Sequence, residues 1–318
     1  MYYTKHMIQK NSEIFKAIKA APNPLAAERD YMECRILDTM FADTSLQDFL
    51  IFSGGATLTK SYNICPRISH DLDLVTTDFT EVPSDRSINQ LKKFHKHFKE
   101  FVFDELRAKI NYAINQDKRF MITTDREWVA LHNPEQRVSF PTLHLLYTSA
   151  LNNSFEDICI EITPRLYDES AISYQAVTPY SIRTPMREIP TVAYEQTFWD
   201  KVFALHCMAT HGLPRNRFFI SRHYFDVAQM ADKVNMAETY HMFKDTIAYQ
   251  NKYTTKEIAP ISAAADIHLV PGVETLSFLG TEYAKHDGEF LNTPPQWGNI
   301  VQKLTELKSR LNNLTAGR

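Results

Sequence analysis

Glycine is scarce in this chain. Eight serve 318 residues, and two of those stand side by side at Gly54 and Gly55. Cysteine is scarcer. Cys34, Cys65, Cys159 and Cys207 lie far apart in the sequence, and no two of them have zinc-ligand spacing. A chain of this length has no need of disulfide staples, so the four read as reduced, packed thiols and the expected compartment is the cytoplasm. No run of 18 apolar residues occurs, and the opening MYYTKHMIQKNSEIF has no uninterrupted apolar segment. Neither a standard secretory signal nor a membrane span is expected. A global excess of positive charge is also missing. With 35 Lys and Arg against 38 Asp and Glu, the net charge is −3, so any nucleic-acid contact has to come from a local patch. There is no internal repeat and no low-complexity segment.

What the chain does have is a core. Apolar residues make up 44% of it, enough for one large domain or two of ordinary size. The stretch Ile51–Leu74, IFSGGATLTKSYNICPRISHDLDL, reads as strand, glycine turn, short helix, turn and strand. Asp48 to Phe52 form the first strand, and Ala56 to Tyr62 have helix-compatible composition. Asp71 and Asp73 alternate with Leu72, Leu74 and Val75, so both carboxylates project to one side of a strand. Two carboxylates so placed suit an oxygen-loving divalent cation such as Mg²⁺. A glycine turn opening a helix points backbone amides at an anion. Together they describe a site for a nucleoside triphosphate. Gly-Ala-Thr-Leu-Thr-Lys-Ser lacks the glycine before Lys60 that a P-loop requires, so a P-loop NTPase is not expected.

Around this stretch, residues 5–20 read as a helix, and residues 25–42 as a second with a broad apolar face. Glu28, Arg29 and Asp30 lie at the start of the second, where acidic side chains suit the helix dipole and a solvated N-terminus is favoured over a direct role. Residues 84–114 are helical and carry the basic, aromatic-interleaved run Lys92–Lys99, read first as a solvated face and second as a nucleic-acid contact. From Arg119 to Tyr174 the text turns β-like. In Asp157-Ile-Cys-Ile-Glu161 the residues 157, 159 and 161 share one face of a strand, and the isoleucines take the other. Glu161 is the first candidate for a third carboxylate that completes a metal site and helps take the proton of an attacking hydroxyl. Asp157 is the reserve.

Near Thr184–Pro190 strands give way to helices, which sets an expected boundary: a domain over 1–185, and a helical domain over 186–318 that closes the cleft. Tyr194–Thr210 and residues 221–234 read as helices, with Arg222 and Asp226 one turn apart in the second. Glu195 and Lys201 are six apart, a spacing that a simple surface pair does not explain. Phe198 and Trp199 read as core aromatics rather than a base-stacking platform. His206, His211 and His223 lack ligand-pair spacing and read as surface or packed histidines.

The motifs in order resemble a known family. Phe52-Ser-Gly-Gly-Ala-Thr-Leu-Thr-Lys60 followed by Arg67-Ile-Ser-His-Asp-Leu-Asp-Leu74 resembles the first motif of the AbiEii/AbiGii-type nucleotidyltransferase toxins, which include the MenT-type enzymes. Leu25–Tyr31 resembles the preceding helix, Tyr194-Glu195 with Lys201–Ala204 is similar to a Glu-x5-Lys-x2-Ala helix, and Arg222–Val227 resembles the last motif. The resemblance implies an α+β chain: a polymerase-β-like nucleotidyltransferase domain with a mixed sheet and flanking helices, plus a C-terminal helical domain. It implies Mg²⁺ on Asp71 and Asp73, and a triphosphate pocket lined by Gly54, Gly55, Lys60 and Arg67. It implies Lys201 reaching the triphosphate with Asp226 and Glu195 ordering it from behind. Alanine at 56 stands where the family carries a hydroxyl, so Ser53 or Thr57 would supply it, and His70 stands where an acid is common. Arg215 or Arg217 are alternatives to Arg222 as the arginine of the last motif. The implied activity is transfer of NMP from an NTP to an acceptor hydroxyl, most plausibly at the 3′ end of tRNA, in a toxin that is held by a cognate antitoxin protein. A protein or small-molecule acceptor is the alternative enzyme, and a nucleotide-binding regulator without catalysis is the non-enzymatic one.

Overall fold

A computed structural model describes residues 8, 12–69, 71–79, 87–114, 121–124, 141–214, 219–253 and 267–316. The chain divides into two compact units, Met1–Val192 and Ala193–Arg318.

The first unit is built on a seven-stranded mixed sheet. Its strands are β1 (Leu50–Ser53), β2 (Asp71–Thr76), β3 (Met121–Thr124), β4 (Thr142–Thr148), β5 (Phe155–Pro164), β6 (Ile172–Ala176) and β7 (Glu188–Val192). Their order across the sheet is β3-β4-β5-β2-β1-β7-β6. The aspartate strand β2 therefore lies at the centre, antiparallel to β1 and parallel to β5. Alternation explains β5 well. Ile158, Ile160 and Ile162 are fully buried, while Asp157, Cys159 and Glu161 are partly exposed on the opposite face. β5 lies between β4 and β2 and is thus an inner strand with one polar face.

The boundary expected after residue 185 needs correction. β7 pairs with β6 and lies beside β1, with Phe52 opposite Thr191, so residues 188–192 belong to the sheet and the second unit starts at Ala193. Pro185 just before this strand and Pro190 within it hide its pattern, so the boundary read too early. Pro190 is accommodated within the ladder opposite Tyr174.

The helices of this unit are α1 (Glu13–Ala20), α2 (Pro24–Met40), α3 (Thr44–Gln47), α4 (Gly54–Lys60), α5 (Ile88–Phe101) and α6 (Arg107–Ile114). The first helix is shorter than expected over the described residues, since residues 5–7 and 9–11 lie outside them. α2 begins on Pro24 with Asn23 as its cap, the side chain accepting from the amide of Ala26. α5 opens on a capping box: Ser87 accepts from the Gln90 amide, and Gln90 accepts from the Ser87 amide. A π-helical turn, Val102–Leu106, joins α5 to α6. On α5, Lys92, Lys93, Lys96 and His97 are exposed, while Phe98 is buried and stacks on Phe94. The aromatics of this run thus serve the core and the lysines form a solvated basic face.

The second unit is helical: α7 (Tyr194–His211), α8 (Ser221–Met230), α9 (Met236–Tyr253), α10 (Val273–Lys285) and α11 (Trp297–Ala316). Trp199 is fully buried, packs edge-on against Phe198 and Tyr240, and donates its indole N–H to Thr239 Oγ1 at 2.9 Å. The core reading of Phe198 and Trp199 holds. His206 Nδ1 accepts from the His268 amide at 3.0 Å, an ordinary packed histidine. Among the described residues no helix is long and apolar enough to cross a membrane.

Candidate active site

Register brings the candidate acids together. Asp73 lies directly opposite Ser53 on β1 and Glu161 on β5, and Asp71 lies opposite Cys159. Residues directly opposite in neighbouring strands share a face, so Asp71, Asp73 and Glu161 stand on one side of the central sheet. Leu72 and Leu74 turn into the core on the other side. Asp157, the reserve, is four residues along β5 from the position opposite Asp73, and its carboxylate faces His144 Nδ1 at 2.9 Å. Glu161 is therefore the better placed third carboxylate. The electrostatic character of this face registers on Cys159. Burial, followed by the charges of Asp157, Asp71 and Glu161, raises the thiol well above its ordinary value.

The glycine turn is tied to the same carboxylates. Gly54 has φ of +73°, and a Cβ there would lie 1.8 Å from Asp73 Oδ2 and 2.5 Å from its Cγ. The Asp73 carboxylate fills the space that any other side chain would need. Gly54→Ala should accordingly displace Asp73 and strain the turn, at a cost on the order of 1–3 kcal/mol for the backbone alone. Its expected signature is a transfer rate lowered at least tenfold with a modest fall in Tm, measured by parallel transfer assay and thermal unfolding.

Not every residue assigned to the phosphate site is available for it. Ser53 precedes α4, is nearly buried, and donates its hydroxyl to the Asp73 carbonyl at 3.2 Å. Thr57 is fully buried, and its hydroxyl donates to the Gly54 carbonyl at 2.8 Å. Thr57 therefore braces the turn from inside, and of the two hydroxyls offered in place of Ala56, Ser53 is the less buried. Arg67 is 2% exposed, and its Nη1 donates to the Ile68 carbonyl at 2.8 Å. It braces the loop entering β2. His70 lies outside the described residues.

Lys60 requires the clearest correction. Its side chain is fully buried, with Nζ 2.5 Å from Asp30 Oδ1 and 2.8 Å from Glu33 Oε2. An ammonium enclosed by two carboxylates inside the unit cannot line a triphosphate pocket. Burial by itself would lower its pKa, but Asp30 and Glu33 outweigh that and raise it far above the ordinary lysine value.

The same contacts overturn the solvated reading of Glu28, Arg29 and Asp30. Glu28, Asp30 and Glu33 are buried. Glu28 accepts from the Ser149 hydroxyl and the Ala150 amide, both at 2.6 Å, in the turn that joins β4 to β5. Arg29 bonds Glu33 through Nε at 3.0 Å and donates Nη1 to the Asp157 carbonyl of β5 at 2.9 Å. Asp30 adds the Tyr180 amide at 2.6 Å. α2 thus fastens β5 on one side of β2 and the glycine-turn helix α4 on the other, which fixes the two elements that frame the aspartates.

In the second unit Lys201, on α7, donates to Asp226 Oδ2 at 2.9 Å and to His223 Nδ1 at 3.3 Å, both on α8. Asp226 is fully buried, and Lys201 is 8% exposed. The lysine, unexplained by helical spacing with Glu195, finds its partner on the next helix. Arg215 and Arg217 lie outside the described residues. Sequence reasoning missed Glu282 of α10. Its carboxylate accepts from the amides of Ile220 and Ser221, at 2.8 and 2.7 Å, and so caps the start of α8. Nothing near Glu282 in sequence signals this role. Removing it leaves two buried amides unpaired, so Glu282→Ala should cost about 1–3 kcal/mol and loosen the helix that carries Asp226. Thermal unfolding measures the first effect, and hydrogen exchange of the 220–223 amides the second.

Residues 35–303 match the family described as "Nucleotidyl transferase AbiEii toxin, Type IV TA system". The chain belongs to the AbiEii family. It is a nucleotidyltransferase of a type IV toxin–antitoxin family, as the motif order implies, and its α+β architecture is the expected one. The family implies an NTP substrate and an antitoxin partner. No curated protein matches this AbiEii chain by sequence. Among solved structures it is similar to JHP933 from Helicobacter pylori, with TM-score 0.47 and 13% identity over 92% of this chain and 96% of that one. It is similar to an H. pylori chain described as a "putative nucleotidyltransferase" at TM-score 0.39 and 14% identity, over 95% and 98%. It is also similar to ANT(2")-Ia in complex with adenylyl-2"-tobramycin at TM-score 0.36 and 8% identity, over 70% and 99%.

Proposed function

We propose that this AbiEii-family chain transfers a nucleoside monophosphate from an NTP to the 3′-terminal hydroxyl of tRNA, and that Asp71, Asp73 and Glu161 hold the Mg²⁺ on which transfer depends. The observation that carries the reading is the register of Ser53, Asp73 and Glu161 on adjacent strands, with Gly54 vacated for the Asp73 carboxylate. Carboxylate oxygens are the donors Mg²⁺ prefers, and three carboxylate side chains on one sheet face favour a cation there. Bound there, Mg²⁺ would neutralise phosphate charge and lower the pKa of a coordinated hydroxyl.

In the transfer the acceptor oxygen attacks the α-phosphorus, a new P–O bond forms, the bond to the bridging oxygen breaks, and pyrophosphate leaves. Glu161 is assigned to help take the proton of the attacking hydroxyl. The backbone at Gly54 and Gly55, with Ser53, is assigned to the phosphate tail. The exposed lysines of α5 supply a local basic face for an RNA acceptor on a chain whose net charge is negative.

Incubation with each labelled NTP and total RNA, followed by sequencing of the labelled ends, tests the reading. The expected product is tRNA extended at its 3′ end. Label in protein or in small molecules instead of RNA would refute the acceptor while leaving the transfer chemistry standing.

A further inference from the structure

Beside the carboxylate site, the sheet carries a second group of ligand atoms with different chemistry. His144 on β4 lies directly opposite Cys159 on β5, and Asp157 is two residues along the same strand. His144 Nδ1 is 2.9 Å from Asp157 Oδ2 and 3.2 Å from Oδ1. Cys159 Sγ is 3.5 Å from His144 Nδ1 and 3.9 Å from Nε2. One ligand atom from each residue falls within 4.8 Å of the others; His144 is buried, and Asp157 and Cys159 are half-buried. The Asp157 carbonyl is held by Arg29, which fixes the strand at this point and leaves the carboxylate directed to His144.

We propose that His144, Asp157 and Cys159 form a three-ligand site for a borderline-soft divalent cation of the Zn²⁺ class, separate from the carboxylates of Asp71 and Asp73. The donor set decides the class. Thiolate, imidazole and carboxylate together select Zn²⁺ or a similar ion, whereas Mg²⁺ takes oxygen ligands. The spacing agrees. Bonds of about 2.0–2.3 Å in a tetrahedron separate ligand atoms by about 3.3–3.8 Å, so small side-chain movements close the existing triangle around an ion. Three protein ligands leave a fourth position open, the pattern of zinc sites that keep a water or an exchangeable group. Linear spacing hides such a site. Its ligands come from a cross-strand pair and an i, i+2 neighbour, not from two short cysteine or histidine motifs.

Cobalt(II) titration of the reduced, metal-free full-length protein tests this without reference to nucleotide transfer. The expected result is one saturable equivalent with a thiolate-to-cobalt charge-transfer band in the near ultraviolet and the intense visible bands of four-coordinate cobalt. Zinc displaces it, and millimolar Mg²⁺ does not. Cys159→Ser should abolish the charge-transfer band, His144→Ala should weaken binding at least tenfold, and Asp71→Asn should retain the band. Absence of a saturable sulfur band in the wild-type protein would overturn the proposal. So would its persistence in Cys159→Ser, or its loss in Asp71→Asn. Should Cys159→Ser fail to fold, zinc K-edge absorption of the wild-type protein decides the same question: one sulfur with nitrogen and oxygen ligands supports the site, and oxygen and nitrogen alone refute it.

Discussion

Asp73→Asn is expected to reduce nucleotide transfer by about 10³-fold or more while the protein remains folded. The carboxylate stands at the centre of the candidate site, between Ser53 on one strand and Glu161 on the other, and over Gly54. Asparagine keeps the shape and removes the charge, so the packing against the glycine turn survives. What is lost is a ligand for the cation, and electrostatic stabilisation by a bound metal is worth several kcal/mol at about 1.4 kcal/mol per tenfold in rate. Asp73 is partly exposed, so loss of its charge is not expected to lower Tm. If like charges on this face repel one another in the metal-free protein, Tm rises slightly instead. Paired measurement of transfer rate and thermal unfolding for Asp73→Asn and Asp71→Asn checks both halves. Full activity in both variants would remove the site from this sheet face.

Lys60→Met is expected to have the opposite profile, with a large loss of stability. The substitution leaves Asp30 and Glu33 facing each other in the interior without their cation. Breaking a buried ion pair from one side costs about 3–5 kcal/mol. At about 2–4 °C per kcal/mol for a unit of this size, Tm should fall by roughly 6–20 °C. The pH dependence has a definite sign. A lysine whose folded pKa is raised stabilises fully below its unfolded value, about 10.4, and loses that contribution only as pH climbs through the higher folded value. Titration of Lys60 therefore adds no pH dependence to the stability of the wild-type protein between pH 6 and pH 9, which thermal unfolding across that range checks. A lysine that lined a triphosphate pocket would behave otherwise, with Tm preserved and KM for NTP increased.

These two variants also mark where the sequence was legible. Asp71, Asp73 and Glu161 could be read because a strand imposes a period of two, and each acid alternates with a buried aliphatic neighbour. The glycine pair was legible because glycine is rare here and its φ freedom has few uses. Lys60 was not, because a lysine next to a phosphate turn has the same local pattern whether it faces solvent, a ligand or a buried acid. Its environment is set by Asp30 and Glu33, thirty and twenty-seven residues earlier. The polar face of α2 misled for the same reason: Glu28, Arg29 and Asp30 at a helix start look solvated, and only the β4–β5 turn, the Asp157 carbonyl and α4 show that they are enclosed. β7 was lost to its prolines, and Glu282 to its distance from the helix it caps. His144 with Cys159 depends on register between two strands, which one strand's pattern does not contain. Periodicity reports what a residue does within its own element, and each of these residues does its work on another.

The most direct measurement follows the phosphates. Purified protein is incubated with RNA and Mg²⁺ and with the same NTP labelled either at the α or at the γ phosphorus. Nucleotidyl transfer to a 3′ end places α label in RNA in a product that migrates one or more nucleotides longer, releases γ label as pyrophosphate, stops when Mg²⁺ is chelated, and is absent with Asp73→Asn. Appearance of γ label on the acceptor, or undiminished α transfer by Asp73→Asn, would contradict the assignment of Asp71, Asp73 and Glu161 to a nucleotidyl-transfer centre.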